Sequence, residues 1–272
     1  KPPPENDGVG VYIHIPFCKR LCPYCDFLRL PVEETVPDAF IRALKHQIVY
    51  SSTDFRIKSI YFGGGTPSLL TPDQIFAILE TIRSQWSIQE DLFRDIEITL
   101  EANPDDVNSS LARSWRQLGI NRVSLGVQSF SDEVLRYLGR RHDAKAATRA
   151  CLAIAEVFCN WNIDLIYGAH PIEHWNDSLI RCKEYQPSHV STYSLTYEET
   201  TPFASRKHEA VDDEMSLSLY RNAQAILGRE FFQYEISNFA KEGFQAQHNL
   251  IYWRNEEYLG FGPGAYSFIG AV

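Results

Sequence analysis

No stretch of this sequence approaches the roughly 18 consecutive apolar residues of a membrane-spanning helix, and the opening KPPPENDG has no apolar core of the kind a secretory signal carries. A cytoplasmic protein is therefore the default expectation. Basic charge is also scarce: 26 Lys and Arg against 35 Asp and Glu leave a net charge of −9. That excludes the broad basic footprint of a nucleic-acid binder, although a local basic groove can sit inside an acidic total. Internal repeats and low-complexity segments are missing, as are the dinucleotide GxGxxG and phosphate-loop GxxxxGK patterns. Cysteine is sparse, yet three of the six residues fall within eight positions, in YIHIPFCKRLCPYCDF at 12–27. In a reducing compartment such a cluster favours metal ligation over disulfides. Cys151, Cys159 and Cys182 lie scattered in helical or connecting sequence and are expected to fill the core.

Short β-rich runs alternate with longer stretches of helical period. The strand candidates are VYIHI, SIYFGG, IEITLE, RVSLGVQ, NIDLIYG and HVSTYSLT. Between and after them come DAFIRALKHQIVY, DQIFAILETIRSQW, SLARSWRQLG, DEVLRYLG with AKAATRACLAIAEVF, DSLIRCKEYQ and DDEMSLSLYRNAQAILG, all helix-like. Such alternation predicts an α/β fold whose parallel sheet curls into a partial six-stranded (β/α) barrel of TIM type. Chemistry then belongs at strand C-terminal ends. There stand the cysteines, GGGTPS, Glu101, Asn103 and Gln128, while Asp164 lies within its strand. Three regions are expected: a flexible start at 1–8, the barrel at 9–229, and an aromatic, glycine-punctuated C-terminal extension at 230–272.

Cys18, Cys22 and Cys25 form CxxxCxxC, which can wrap three thiolates around one compact inorganic centre and leave a coordination position open. On spacing alone, a zinc loop completed by Asp26 or His14 stays open as an alternative. The glycines of YFGGGTPS allow close backbone approach to an anionic group, but a tight strand–helix turn explains such a run equally well.

Taken in order, YIHIPFCKRLCPYC, YFGGGTPS, LEANPDD, NRVSLGVQSF, LGRRH and NIDLIYG resemble the radical S-adenosylmethionine superfamily, in its oxygen-independent coproporphyrinogen III oxidase-like branch. The resemblance spans roughly residues 9 to 268. It implies a [4Fe–4S] cluster held by Cys18, Cys22 and Cys25, with S-adenosylmethionine on the remaining iron. It further implies that Tyr12 contacts the S-adenosylmethionine, that Tyr24 approaches the adenine, and that Gly64, Gly65 and Thr66 receive the amino group. Glu101, Gln128, Arg140 and Asp164 would hold the other polar parts, Arg140 suiting the carboxylate and Asp164 a hydroxyl or amino donor. Without the resemblance, solvated charges at a favourable helix end are a competing reading of Arg140 and Arg141.

Within the branch, the oxidase carries a further cysteine two positions after the third cluster cysteine, where this chain has Phe27. HNLIYW at 248–253 matches the HNxxYW pattern of HemW-type haem chaperones. That implies a haem site at His248, Asn249, Tyr252 and Trp253, with an imidazole for iron and aromatic faces for the porphyrin. A packed aromatic cluster around a hydrogen-bonded histidine is the competing reading of those residues. The implied function is delivery of haem to haem-accepting apo-proteins, on a fold capable of reductive S-adenosylmethionine cleavage. The alternative is the oxidase itself. A one-electron donor, a homodimer and peripheral membrane contact during haem delivery are the further partners implied. Two departures stand out. AHPIEHWNDS replaces the family's turn after DLIYG, with His170 and His174 expected as loop histidines, and the small C-terminal domain usual in the family is not reached.

Overall fold

A computed structural model describes residues 8–51, 56–86, 88, 93 and 95–270; the expected flexible start falls almost wholly outside them. Six strands lie side by side in chain order and parallel: β1 (Val9–Ile15), β2 (Ile57–Gly64), β3 (Glu97–Ala102), β4 (Arg122–Gln128), β5 (Trp161–Tyr167) and β6 (His189–Ser194). Helices α1 (Asp38–Val49), α2 (Pro72–Gln85), α3 (Ser109–Gln117), α4 (Asp132–Tyr137), α5 (Ala144–Ala155) and α6 (Trp175–Glu184) make the connections, and α7 (Asp213–Leu227) follows β6. Their starts are written locally. Thr71 and Gln74 form a reciprocal capping box on α2, and Asn108, Asp143 and Asp212 accept main-chain amides at the heads of α3, α5 and α7.

The strands are two-faced. Their outward residues, such as Ile60, Ile98, Val123, Ile163 and Val190, are fully buried in one core with Ile75, Ile78, Trp115, Ile154 and Leu179 of the helices. The inward face is polar instead: Ser59, Thr99, Ser124, Asn162, His189 and Ser191 are all buried. Asn162 organises it. Its side-chain amide donates to Ser124 Oγ and Asp164 Oδ1 at 2.7 Å each, while its Oδ1 meets His189 Nδ1 at 2.7 Å and the Ser191 hydroxyl at 3.2 Å.

Residues 230–270 extend this sheet at both edges. β7 (Phe232–Gln233) and β8 (Asn238–Ala240) add antiparallel strands beside β6, and β9 (Tyr258–Phe261) runs parallel along β1, giving the order β9-β1-β2-β3-β4-β5-β6-β8-β7. Both free edges of the six-stranded core are thereby covered, which satisfies amides and carbonyls that would otherwise be exposed. Helix α8 (Gln247–Trp253) packs on β1 and β2. Cys151 and Cys182 fill the core as expected, whereas Cys159 is exposed, because it sits in the turn between α5 and β5.

Replacing Asn162 by Leu removes one buried hydrogen-bond partner from each of Ser124, Asp164, His189 and Ser191 at once. The expected loss is about 3 kcal/mol of stability, read from urea unfolding with an unchanged slope. A loss below about 0.5 kcal/mol would mean that the inward network is not a structural element.

Candidate functional site

The cysteine loop is folded by its own residues. A short parallel ladder joins Phe17 and Cys18 to Leu30 and Pro31, and the Arg29 guanidinium fills the loop, donating to the carbonyls of Cys22 (2.7 Å), Phe27 (3.2 Å) and Cys25. His14 Nε2 donates to the Leu28 carbonyl at 3.0 Å, so its Nδ1 accepts from the Tyr12 hydroxyl at 3.1 Å. The three sulfurs meet different surroundings. Cys18 is buried and accepts from the Thr66 hydroxyl at 3.3 Å; Cys22 accepts from Arg140 Nη1 at 3.4 Å; Cys25 lines the central cavity. Burial raises the thiol pKa of both Cys18 and Cys25.

This donor set suits a cluster better than a single ion. Among the described residues no three His, Cys, Asp or Glu side chains converge closely enough to hold one metal ion. Both proposed zinc partners are otherwise engaged, His14 as above and Asp26 as acceptor from the Thr200 hydroxyl. Three thiols on one loop, with hydrogen-bond donors aimed at two of them, fit a polynuclear iron–sulfur centre.

A cavity of about 430 Å³ opens at the strand C-terminal ends beside Cys25. Its wall carries Tyr24, Gly64, Gly65, Thr66, Glu101, Gln128, Arg140 and Asp164, all of them picked out in the sequence. Glu101 accepts from the Tyr61 hydroxyl at 2.8 Å and the Gly64 amide at 3.2 Å. Burial, outweighing that hydroxyl, pushes its pKa up to about 7, and burial likewise raises Asp164. Arg140 Nη2 donates to Asn103 Oδ1 at 2.5 Å and the Gly126 carbonyl at 2.8 Å, while its buried Nε has no partner among the described residues. Arg140 is thus a wall of the site and not a solvated helix-end charge. Gly64 has φ +109°, and a Cβ there would lie 2.5 Å from the His14 ring, so the cradle requires glycine. Gln128 holds a left-handed φ of +67°, uncommon for a side chain of its kind and placed at the cavity wall.

Asn103, already named at the end of β3, also lines this cavity, as do Tyr61, Ser124 and Tyr193. Strand parity was the signal that would have found Tyr61 and Ser124, which lie an even number of residues from Gly63 and Gln128, whereas Tyr193 stands on a strand with no recognised position. Tyr12, by contrast, does not line it; its hydroxyl is taken by His14 and its ring lies against Tyr61, the centroids 6.1 Å apart. His170 and His174 do not converge, His170 donating to the Glu209 carbonyl at 2.7 Å and His174 lying 3.3 Å from Glu133.

HNLIYW lies at the other end of the barrel. His248 is 1% exposed, stacked on Tyr61 with centroids 5.0 Å apart, with Nδ1 2.8 Å from Ser59 Oγ and Nε2 2.8 Å from the Tyr252 hydroxyl. Burial first, then the field of Arg122, lowers its pKa to about 3. The expectation of an imidazole offered to iron meets a neutral ring with both nitrogens engaged. Tyr252 and Trp253 do present aromatic surface, 38% and 53% exposed, and Asn249 is half-buried.

The Radical SAM superfamily model matches residues 12–179. The "Heme chaperone HemW" of Escherichia coli is 38% identical over 95% of this chain and 69% of its own length; that of Haemophilus influenzae is 37% identical over 97% and 71%. The solved coproporphyrinogen III oxidase HemN of Escherichia coli superposes with a TM-score of 0.83 at 25% identity, over 97% of this chain and 65% of that one. Its fold is therefore the fold found here. With the cysteine loop, the glycine cradle and the cavity in the order this family requires, the chain belongs to the radical S-adenosylmethionine superfamily, in the branch that contains the HemW proteins, and that membership implies a [4Fe–4S] cluster and S-adenosylmethionine.

Proposed function

We propose that this chain is a haem chaperone: it holds a [4Fe–4S] cluster on Cys18, Cys22 and Cys25, binds S-adenosylmethionine in the central cavity, and takes up haem at α8 for delivery to apo-proteins. The observation that carries the proposal is the pairing of HNLIYW with 37–38% identity to HemW chaperones over nearly the whole chain. When bound, cluster and S-adenosylmethionine supply the capacity for reductive cleavage of the sulfonium. The chain's own residues orient the ligand. Glu101 and Asp164 offer half-buried carboxylates to its cationic groups, the Gly64–Gly65 turn exposes main chain, and Arg140 closes the side toward Cys22. The oxidase alternative fits less well. Phe27 replaces its extra cysteine, and Arg140, the one cation lining the cavity among the described residues, is committed to Asn103 and Gly126, leaving Asp26, Glu101, Asp164 and Glu198 to face a substrate rich in carboxylates.

Cys22→Ala is expected to abolish iron and sulfide retention after anaerobic reconstitution, whereas Cys151→Ala retains both. Equal content in the two variants would remove the loop from the cluster site.

The raised Glu101 pKa makes ligand binding proton-linked. In the free protein Glu101 is largely protonated below its pKa of about 7, and a cationic ligand favours the carboxylate. Binding therefore releases a proton in that range, and affinity falls as pH drops through 7. Calorimetry at about pH 6 in buffers of differing ionisation enthalpy measures that release. Glu101→Gln should eliminate it. Asp164→Ala should weaken binding by about 1–3 kcal/mol without changing cluster content.

Haem ligation by His248 requires Nε2 to exchange the Tyr252 hydroxyl for iron. His248→Ala and Trp253→Ala are expected to reduce haem uptake, read from the Soret band, with the cluster intact and coproporphyrinogen left undecarboxylated. Tyr252→Phe, which frees Nε2, should increase uptake. Reduced uptake in that variant would make the phenol, not the imidazole, the iron's partner.

A further inference from the structure

Each cluster cysteine faces a different compartment: Cys18 the interior, Cys25 the cofactor cavity, and Cys22 a surface groove on the far side of the Arg140–Asn103 wall. That groove runs past Lys19, Arg20 and Arg141 and continues into a wider cleft of about 480 Å³ along α4 and the head of α5. Its acids are occupied. Asp105 and Asp106 pair with Arg141, Asp106 also with Lys19, while Asp132 and Asp143 accept the Ala144 and Ala146 amides at 2.7 Å each. Arg20, Arg136 and Arg149 remain: all three are exposed, and none has an ion pair or side-chain hydrogen bond among the described residues. A chain of net charge −9 thus concentrates positive charge along a groove that reaches one cluster ligand, Cys22, with Asp143 the acid nearest in effect to Arg149.

We propose that this groove is the docking surface for an acidic one-electron carrier protein, which delivers its electron through the Cys22 side of the cluster loop. The step is a single outer-sphere transfer. The carrier's reduced centre loses one electron, the cluster gains it, and no bond or proton moves. Charge complementarity selects the partner: an acidic surface is steered by Arg20, Arg136 and Arg149 and is repelled by the rest of this molecule. The proposal rests on the cluster reading of the three cysteines, and two separate measurements keep the two ideas apart.

First, cluster-free protein is titrated calorimetrically with an oxidised acidic flavoprotein carrier at low and high salt. Binding should be salt-sensitive and should weaken by about tenfold in Arg20→Glu/Arg136→Glu/Arg149→Glu, while Arg42→Glu on the exposed face of α1 leaves it unchanged. Second, reduction of the reconstituted cluster is followed by stopped flow. The triple variant should lose about tenfold in the second-order rate constant with the reduced carrier, yet match the unsubstituted protein under photoreduction by a neutral deazaflavin. Binding and rate indifferent to the three substitutions would overturn the docking surface. Failure to assemble any cluster, with charge-dependent binding retained, would overturn the cluster reading and leave the surface standing.

Discussion

The Arg140 guanidinium is the junction on which the site depends. One side chain joins the cysteine loop through Cys22 Sγ, the segment after β3 through Asn103, and β4 through the Gly126 carbonyl. A planar fork with fixed donor directions can tie three backbone segments at set angles, which a flexible lysine ammonium cannot. Despite the cost of burying it, the charged form is favoured by Tyr24 and Cys22, so its pKa is raised and the junction stays ionised. Asn103 in turn donates to the Thr66 hydroxyl, and Thr66 donates to Cys18. Two of the three cysteine sulfurs are therefore set by one connected network that also forms the cavity wall.

A second network links the two ends of the barrel. Tyr61 donates to Glu101 at the cavity while its ring stacks on His248 below. Glu97 accepts the His248 amide at 3.0 Å and so holds the head of α8 against the start of β3. Freeing His248 from Tyr252 disturbs packing that reaches Tyr61 and, through it, a cavity carboxylate. Helix α8 and the central cavity thereby share one stack of rings, and a change at either end alters the contacts available to the other.

Much of this was legible because local periodicity and local chemistry coincide. All six core strands and their crossover helices appear where period-two and period-3.6 patterns put them, and the cysteine and glycine motifs stand at strand ends, where a parallel barrel gathers its chemistry. Other features depend on long-range register, which no local pattern encodes. Residues 230–272 read as irregular because β7, β8 and β9 are short, and the places of β8 and β9 at the sheet edges come from partners some 50 and 250 positions away. Tyr12 and His248 were expected at ligands on the family resemblance, whereas what fixes their availability is His14 in one case and Ser59 with Tyr252 in the other. Arg29 gave no sequence signal, since its three acceptors are main-chain carbonyls.

The barrel interior also shows why its ligand should be cationic. Glu101 and Asp164 are half-buried at the cavity wall, and for each the cost of desolvation exceeds what neighbouring donors and Arg122 return, so both pKa values rise. Arg122, only 2% exposed and with its Nε unpartnered among the described residues, is the positive charge that acts on both from the base of the barrel. Among the described residues one guanidinium opposes two carboxylates, and Arg140 is spent on the cysteine loop and its wall. The interior is therefore one positive charge short of balance when both acids are ionised, and protonation near neutrality is how the free protein relieves it. A ligand bearing positive charge at this level replaces that proton directly, which converts the burial of two acids from a cost of folding into selectivity for what the cavity admits.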